Sequence, residues 1–310
     1  MKCKVASIFV AIMLMASVSF AETKVIHHLL DVSVTIQTDR GSGSGVLITR
    51  DVKLAKDDKK TVKVNFVWTA AHVVNGLRST RIVIGPNGIP KTIVEFRDAE
   101  IVKELRDPDT KRKTGEVRLY GKVVLYSDSE DGEDLALLLV RDRQYTAFGA
   151  EFDLDNKPVD IGTDLIHVGS LLGQGGSNSV TKGIMSKTGR VLSLGSGDGV
   201  VFDQTTCSAF PGSSGGGVFL TDGKYIGMLV RGAGETFNFT VPVRRMARWC
   251  KDRNVMWALD AKANIPSLRE IKNIKPEDNS VKSASEKSDD SKNYPTIMSL
   301  NKDKVEKVEK

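Results

Sequence analysis

The chain has 310 residues, enough for one large domain or two small domains with a buried core. Hydrophobic residues make up 40% of it and charged residues 27%, with 28 glycines, 9 prolines and 3 cysteines. This composition excludes a collagen-like chain, a fully disordered protein and a disulfide-rich miniprotein. The net charge of +6 is spread along the sequence and gives little support to a polyanionic partner, so no nucleic-acid partner is expected.

The first 21 residues have the pattern of a secretory signal peptide. Lys2 and Lys4 precede 17 uncharged residues, and the Ser-Phe-Ala sequence at 19–21 fits a small-x-small cleavage site. The alternative is an uncleaved membrane anchor, because this length is at the short limit for crossing a bilayer. Cleavage is the preferred interpretation. It predicts an extracytoplasmic protein, periplasmic or secreted, with no membrane span after cleavage.

Short segments of alternating apolar and polar residues dominate residues 31–242, and this period is typical of half-buried β-strands. The predicted strands, in chain order, are 32–37, 62–68, 117–126, 135–140, 165–168, 225–230 and 237–241. No helical pattern alternates with these strands. The sequence therefore disfavours a parallel α/β sheet and favours antiparallel barrels or sandwiches.

One helix is predicted after the last strand. Val243, Met246, Ala247 and Cys250 recur at helical spacing after Pro242, so this face is expected to pack on the β core. The basic residues around the helix are expected to face solvent: Arg244, Arg245, Arg248 and Lys251.

Residues 259–310 are predicted to form a charged, disordered tail. Of the 49 residues from Lys262 onward, 20 are charged and Tyr294 is the only aromatic residue, so little apolar surface is available to offset the entropy of ordering. The predicted organisation is thus a signal peptide at 1–21, one folded domain at 22–258 and this tail.

Two motifs in the first half of the chain contain a histidine and a carboxylate. His72 follows Trp-Thr-Ala-Ala at the end of a predicted strand, although a lone histidine is more often structural than catalytic. Asp134 stands at the mouth of the apolar strand 135–140, where a buried carboxylate needs a charged or donating partner. The alternative is a carboxylate that turns outward. Asp134 is preferred to Asp131 and Glu133 because it directly abuts the apolar strand.

A third motif, Phe-Pro-Gly-Ser-Ser-Gly-Gly-Gly at residues 210–217, contains Ser214. Its glycines permit positive φ angles and close approach of a substrate. The amides of Gly212, Ser213 and Ser214 can converge on a developing oxyanion while Ser214 Oγ attacks a carbonyl carbon. The alternative is a flexible glycine-serine turn.

Together the three motifs resemble the trypsin-like serine proteases, and specifically their HtrA (DegP-like) branch. The order His72, Asp134, Ser214 is that of chymotrypsin-type enzymes and differs from the orders in subtilisins and α/β-hydrolases. Further similar motifs are GSGSGVLI at 41–48, DLALL at 134–138, VTKGIMS at 180–186, QT at 204–205 and FTVP at 239–242. Ser213 departs from the usual Asn or Asp, and Gly217 from the usual Pro.

The resemblance implies an all-β fold of two antiparallel six-stranded β-barrels, with His72 and Asp134 on the first barrel and Ser214 on the second. It implies a serine endopeptidase that acts on polypeptide substrates through an acyl-enzyme, with no metal or organic cofactor. Nothing after Trp257 resembles a PDZ domain. The alternative is a catalytically silent binding module of the same fold, engaging polypeptides or an anionic surface. The oligomeric state is left open.

The resemblance also indicates substrate-binding residues. Ser208, six residues before Ser214, would lie near the base of the S1 pocket, and its neutral side chain favours a small or uncharged P1 residue. Val230, Arg231 and Gly232 would form the strand that pairs with substrate, where Arg231 would alternatively favour acidic peptides.

The remaining cysteines and histidines indicate no metal site. Cys207 and Cys250 are compatible with a disulfide in an oxidising compartment, but two separately buried thiols are preferred. His27, His28 and His167 have no carboxylate or cysteine pattern typical of a metal site, so they are interpreted as structural or surface residues.

Overall fold

The computed structural model describes residues 22–276, except for residues 85, 87, 131, 174–177, 193–198 and 233–234. The predicted signal peptide at 1–21 and the part of the predicted tail from residue 277 onward lie outside the described residues.

Strands are the main type of regular secondary structure in the described chain. They are β1 (Ser33–Thr38), β2 (Gly41–Lys53), β3 (Thr61–Thr69), β4 (Arg78–Ile84), β5 (Pro90–Phe96), β6 (Ala99–Arg106), β7 (Lys113–Ser127), β8 (Leu135–Val140), β9 (Asp164–Gly169), β10 (Ser179–Leu192), β11 (Val200–Thr205), β12 (Gly217–Leu220), β13 (Tyr225–Gly232) and β14 (Asn238–Pro242). The α-helices are α1 (residues 22–32), α2 (Ala71–Val74), α3 (Val243–Asp252) and α4 (Leu268–Asn273). Short 3₁₀ turns lie at Asn75–Leu77, Leu171–Gly173 and Met256–Ala258.

The strands close into two antiparallel barrels, as predicted. The first has the order β1-β2-β3-β8-β7-β6 and the second the order β10-β11-β14-β13-β12-β9. Strand β8 is buried along its whole length, which explains its continuous run of leucine, alanine and valine. Strands β4 and β5 form a separate two-stranded sheet.

Helix α1 was not predicted, and it packs on the core through Leu29 and Val32, both 0% exposed. Val25, Ile26 and Leu30 are partly buried against the same core. Apolar residues at positions 25, 26, 29 and 30 have helical spacing, so the sequence does contain a signal for this helix. Among the described residues, none of the helices has the length and apolar character needed to cross a membrane.

Helix α3 occurs where it was predicted, but the expectation that its basic residues face solvent is wrong at two positions. Arg245 is 3% exposed and forms an ion pair with Glu133. Arg244 forms a bidentate ion pair with Asp203, at 2.6 Å from each guanidinium nitrogen. Both arginines therefore form ion pairs inside the folded domain and do not simply face solvent.

The folded part of the chain extends beyond residue 258, where the predicted tail was expected to begin. Leu259, Leu268 and Ile271 are buried in the core. Arg50 holds the start of this segment, since its Nη2 donates to Leu259 O at 2.9 Å. Ser267 caps α4 with Glu270 in a reciprocal capping box. The composition of the full tail hid this short amphipathic helix.

Candidate active site

The end of β3 fixes the position of His72. Ala70 and Ala71 follow the strand and are both 0% exposed, so α2 begins directly against the first barrel. His72 is the second residue of α2, and its side chain is 35% exposed. A partly exposed imidazole on a rigid, buried support is accessible to a ligand and still oriented.

Asp134 immediately precedes β8 and lies in a left-handed backbone conformation, with φ of +56°. Its amide donates to Asp128 O at 3.0 Å and closes the loop between β7 and β8. Its side chain is only 2% exposed. Left-handed conformations outside glycine cost about 1–2 kcal/mol, so the surrounding contacts must hold this residue in place.

His72 and Asp134 form the interaction that the sequence motifs suggested. His72 Nδ1 lies 2.9 Å from Asp134 Oδ2 and 3.1 Å from Oδ1. The backbone amide of His72 also donates to Asp134 Oδ1, at 3.1 Å. The carboxylate therefore holds both the ring and the main chain of the histidine. With Nδ1–H directed at the carboxylate, a neutral ring has its lone pair on Nε2.

The segment before Ser214 is a type II turn over residues 210–213. Ser213 N donates to Phe210 O at 2.9 Å, Pro211 is at the second position, and Gly212 has φ of +97° at the third. Ser213 Oγ accepts a hydrogen bond from Phe210 N at 3.1 Å. The Ser213 amide is thus engaged inside the turn. Of the three amides considered from the sequence, those of Gly212 and Ser214 form no hydrogen bond within the described residues.

Ser44 of β2 links this turn to the strand that leads to His72. Its backbone amide donates to Ser214 O at 2.7 Å, and its Oγ donates to Gly212 O at 2.7 Å. Its carbonyl oxygen accepts from Thr69 Oγ1, also at 2.7 Å. Ser44 is 1% exposed, so these hydrogen bonds are shielded from water.

The backbone near Ser214 comes very close to the first barrel. A Cβ added to Gly43 would lie 2.5 Å from a methyl carbon of Val73 and 3.1 Å from Ser214 O. Gly43 is therefore squeezed between the residue after His72 and Ser214 itself. The hydroxyl of Ser214 points to Val230 O at 3.5 Å. Rotation of this side chain would direct the hydroxyl at the imidazole of His72. Hydrogen bonds between catalytic groups are often long or poorly aligned when no substrate is bound.

The residues expected to bind substrate lie around the same turn. Ser208 O accepts from Thr181 Oγ1 at 2.9 Å, which fixes the backbone at this position. Val230 is buried beside the Ser214 hydroxyl. Arg231 turns its guanidinium to the loop before β8, where Nη2 donates to Ser129 O at 3.0 Å.

Asn238, which the sequence analysis did not single out, is the partner of Gly232 in the pairing of β13 with β14. Its Nδ2 donates to Cys207 O at 2.9 Å and to Glu235 O at 3.0 Å. Its Oδ1 is buried without a hydrogen-bond partner within the described chain and faces the α-carbon of Gly232. A polar side chain therefore lies between Gly232 and the segment that contains Ser208.

His167 lies behind the Ser214 turn and is fully buried. Its Nδ1 lies 2.9 Å from Gly217 O, and its ring is adjacent to Gly216. Burial lowers the pKa of His167 from 6.5 to about 4, and the hydrogen bond to Gly217 only partly opposes this shift. His167 is therefore neutral at pH 7 and acts as a structural residue.

The two cysteines of the described chain are buried thiols. Cys207 and Cys250 are both free and buried. The sequence analysis preferred this interpretation over a disulfide. Burial raises the pKa of each thiol, that of Cys250 to about 12. Across the described ranges, no group of three or more histidine, cysteine or acidic side chains is arranged to hold a metal ion.

The sequence matches a known family over most of the two barrels. The family model described as "Trypsin-like peptidase domain" matches residues 43–228. A "Serine protease Do-like HtrA" from Bacillus subtilis (strain 168) is 27% identical over 194 residues, or 62% of this chain and 33% of that protein. The protein of the same name from Lactobacillus helveticus is 38% identical over 95 residues, or 31% of this chain and 22% of that protein. The chain thus matches only a third or less of the length of each relative.

Solved structures show the same fold. The serine endoprotease from Yersinia pestis superimposes with a TM-score of 0.51 at 18% identity, covering 77% of this chain and 68% of that chain. Rv3671c from M. tuberculosis H37Rv gives 0.50 at 17% identity, covering 74% of this chain and 89% of that chain. At these identities the likeness establishes the architecture of two barrels and nothing finer.

Acidification is expected to destabilise the protein through His167. The unfolded chain binds a proton on this histidine below pH 6.5, whereas the folded chain does so only near pH 4, so stability falls as the pH falls through this window. The loss reaches about 3 kcal/mol at pH 4. His167→Asn removes this contribution. The fall in the thermal unfolding midpoint between about pH 7 and pH 4.5 should therefore be smaller in the variant than in the wild type.

His28→Asn is the matched control, because it removes an exposed histidine and should keep the pH dependence of unfolding of the wild type. The assignment is contradicted if His167→Asn and the wild type show the same pH dependence of unfolding.

Proposed function

Because the chain belongs to the trypsin-like peptidase family, we propose that it is a serine endopeptidase whose catalytic triad is His72, Asp134 and Ser214. The observation that carries the proposal is the pairing of His72 with the buried Asp134, at 2.9 Å between Nδ1 and Oδ2, beside the segment in which Ser214 follows the turn. A buried carboxylate that holds the histidine ring by Nδ1 is the arrangement that leaves Nε2 free to accept a proton.

The proposed reaction proceeds through an acyl-enzyme. Ser214 Oγ rotates away from Val230 O, gives its proton to His72 Nε2 and attacks the carbonyl carbon of the peptide bond. His72 then protonates the leaving amine, and a water molecule activated by the same nitrogen releases the acyl group. Asp134 stays ionised throughout and stabilises the imidazolium that forms at each step.

The negative oxygen that develops on the substrate needs donors in the same place. The amides of Gly212 and Ser214 are proposed to supply them, because the Ser213 amide is already donated to Phe210 O. The positive φ of Gly212 supports this assignment, since a type II turn turns the amide of its third residue away from the turn's own hydrogen bond. Each such donor stabilises a transition state by about 3 kcal/mol.

Removal of the nucleophile or the base should abolish turnover while leaving the fold intact. Ser214→Ala and His72→Ala should each lower kcat by about 10⁶-fold, because the triad acts as one unit. Asp134→Asn should lower kcat by about 10⁴-fold, because it favours the wrong tautomer of the histidine. Cleavage of fluorescently labelled casein, followed by gel and fluorescence, measures all three variants.

Ser79→Ala controls for serine removal, since Ser79 is an exposed residue of β4 whose hydroxyl donates only to Glu95 O. Retention of wild-type cleavage in the Ser214→Ala protein would refute the proposed triad.

The proposed substrates are extended polypeptides with a small or uncharged P1 residue. Ser208 lacks the negative charge that a pocket for lysine or arginine requires. The position of Asn238 supports a preference for small P1 residues, because its side chain fills the space next to Gly232 in the proposed pocket. The alternative that Arg231 selects acidic peptides is weakened, because its guanidinium donates to Ser129 O.

A peptide library with one randomised P1 position tests this specificity. Cleavage is expected to be strongest at alanine, valine, serine and similar residues, and mass spectrometry of the products identifies the cleaved bonds. Ser208→Asp is expected to increase the share of products cleaved after lysine and arginine, because it adds a negative charge to the pocket. A wild-type profile dominated by lysine or arginine at P1 contradicts the proposed neutral pocket.

Export from the cytoplasm is also proposed, to the periplasm or the exterior. It is supported by the basic, apolar and small-residue pattern of residues 1–21.

A further inference from the structure

The loop that carries Asp134 needs external support. It runs from Asp128 to Asp134 between β7 and β8, and its last residue has a φ of +56°. Within the loop region, Glu133 N donates to Ser127 Oγ at 2.8 Å and Asp134 N donates to Asp128 O at 3.0 Å. Glu130 N also donates to Asp128 Oδ1 at 2.7 Å, and these bonds hold the side of the loop next to β7. The opposite side of the loop faces residues from the second half of the chain.

Arg245 contacts that opposite side from helix α3. It forms an ion pair with the Glu133 carboxylate through Nε, and its Nη2 lies 3.5 Å from Gly132 O. Its Nη1 donates to Val201 O of β11 at 3.1 Å. The guanidinium therefore joins three elements: the helix, a strand of the second barrel and the two residues that precede Asp134.

The surroundings of Arg245 fix the orientation of its guanidinium. The side chain is 2% exposed, and the guanidinium stacks over the Phe202 ring at 4.8 Å. Burial lowers the pKa of Arg245, while the charges of Glu133 and Asp134 raise it. The Asp134 charge therefore reaches this arginine as well as His72. Loss of the Glu133 carboxylate would leave this buried charge unpaired, so the ion pair opposes movement of the guanidinium.

Arg231 of β13 contacts the other end of the loop. Its Nη2 donates to Ser129 O at 3.0 Å. Two arginines of the second half of the chain thus hold the loop at both ends, one at residue 129 and one at residues 132–133.

We propose that Arg245 is a positioning residue that acts through Glu133 and Gly132 to hold Asp134 in its left-handed conformation against His72. This inference rests on the proposed function, since it assigns Arg245 to the orientation of the triad. Arg245 does not touch substrate in this account. The planar fork of the guanidinium contacts Glu133, Gly132 and Val201 simultaneously, and a lysine ammonium at the same position has a different shape and reach.

The neighbouring Arg244 is a matched control. It lies on the same helix and forms a bidentate ion pair, but its partner is Asp203 of β11, whose side chain is 3% exposed. Within the described residues, Arg244 forms no hydrogen bond or ion pair with the loop that ends at Asp134. A lysine substitution at either position therefore perturbs the same helix, and only one of the two releases the loop.

The test compares Arg245→Lys and Arg244→Lys, each in the wild-type background and in the Asp134→Asn background. The readouts are kcat and KM on the best peptide from the library. Arg245→Lys is expected to lower kcat by about 100-fold with KM changed less than about threefold, because a small displacement of a catalytic group costs about this much. Arg244→Lys should leave kcat within about threefold of the wild type.

In the Asp134→Asn background, Arg245→Lys should have almost no further effect, because a positioning residue acts only through the group it positions. The proposal is overturned if Arg245→Lys affects kcat no more than Arg244→Lys does. It is also overturned if Arg245→Lys lowers kcat equally in both backgrounds. Full activity of Asp134→Asn alone refutes the proposed triad, and that outcome is independent of Arg245.

Circular dichroism melting identifies any variant that does not fold. If Arg245→Lys is unfolded, Glu133→Gln takes its place, since it keeps the size of the side chain and removes the ion pair. It is expected to lower kcat by about 10-fold without changing KM, because the loop loses its charged anchor. An unchanged kcat in folded Glu133→Gln then overturns the proposal.

Discussion

The hydrogen bonds of Ser44 determine how the two barrels meet at the candidate active site. This one buried residue donates to Ser214 O and Gly212 O and accepts from Thr69 Oγ1, each at 2.7 Å. Thr69 is the last residue of the strand that leads to His72. Ser44 therefore contacts both this strand and the segment that contains Ser214. The neighbouring residue must be glycine, because a Cβ at Gly43 would be too close to Val73 and to Ser214 O. The distance between the backbones of His72 and Ser214 is therefore set largely by main-chain contacts.

The charged residues at this boundary have a second role. Arg231 and Arg245 belong to the second half of the chain, and both bind backbone carbonyls of the loop that ends at Asp134. The carboxylate that orients His72 is thus held by residues of the opposite half. The histidine, the carboxylate and the serine turn all depend on contacts between the two halves, so separation of these halves is expected to remove the geometry of the site as a whole. In this arrangement His72 and Asp134, which are 62 positions apart, meet at 2.9 Å.

Much of the fold was predictable from the sequence because strands have a local signature. The alternation of apolar and polar residues located seven strands, and the continuous apolar run identified β8 as a buried strand with its bounds at Leu135 and Val140. The candidate site was also predictable, since its three motifs each contain a chemical group next to small residues or a strand. Helix α1 was missed although apolar residues at positions 25, 26, 29 and 30 have helical spacing. Other features were missed because their partners are distant in the chain or because the surrounding composition hid them. Arg245 looked like an exposed helical arginine because its partner Glu133 is 112 positions away. Helix α4 was hidden by the charged composition around it, and Asn238 by its position in an ordinary strand.

The central claim is that Ser214 is activated by His72, and labelling with a fluorophosphonate probe tests it most directly. The probe reacts only with an activated serine, and digestion of the labelled protein followed by mass spectrometry identifies the modified residue. We expect one modified peptide, containing Ser214, in the wild-type protein and no labelling in the His72→Ala variant. Absence of labelling in folded wild-type protein, or labelling at Ser214 that is unchanged in His72→Ala, would contradict it.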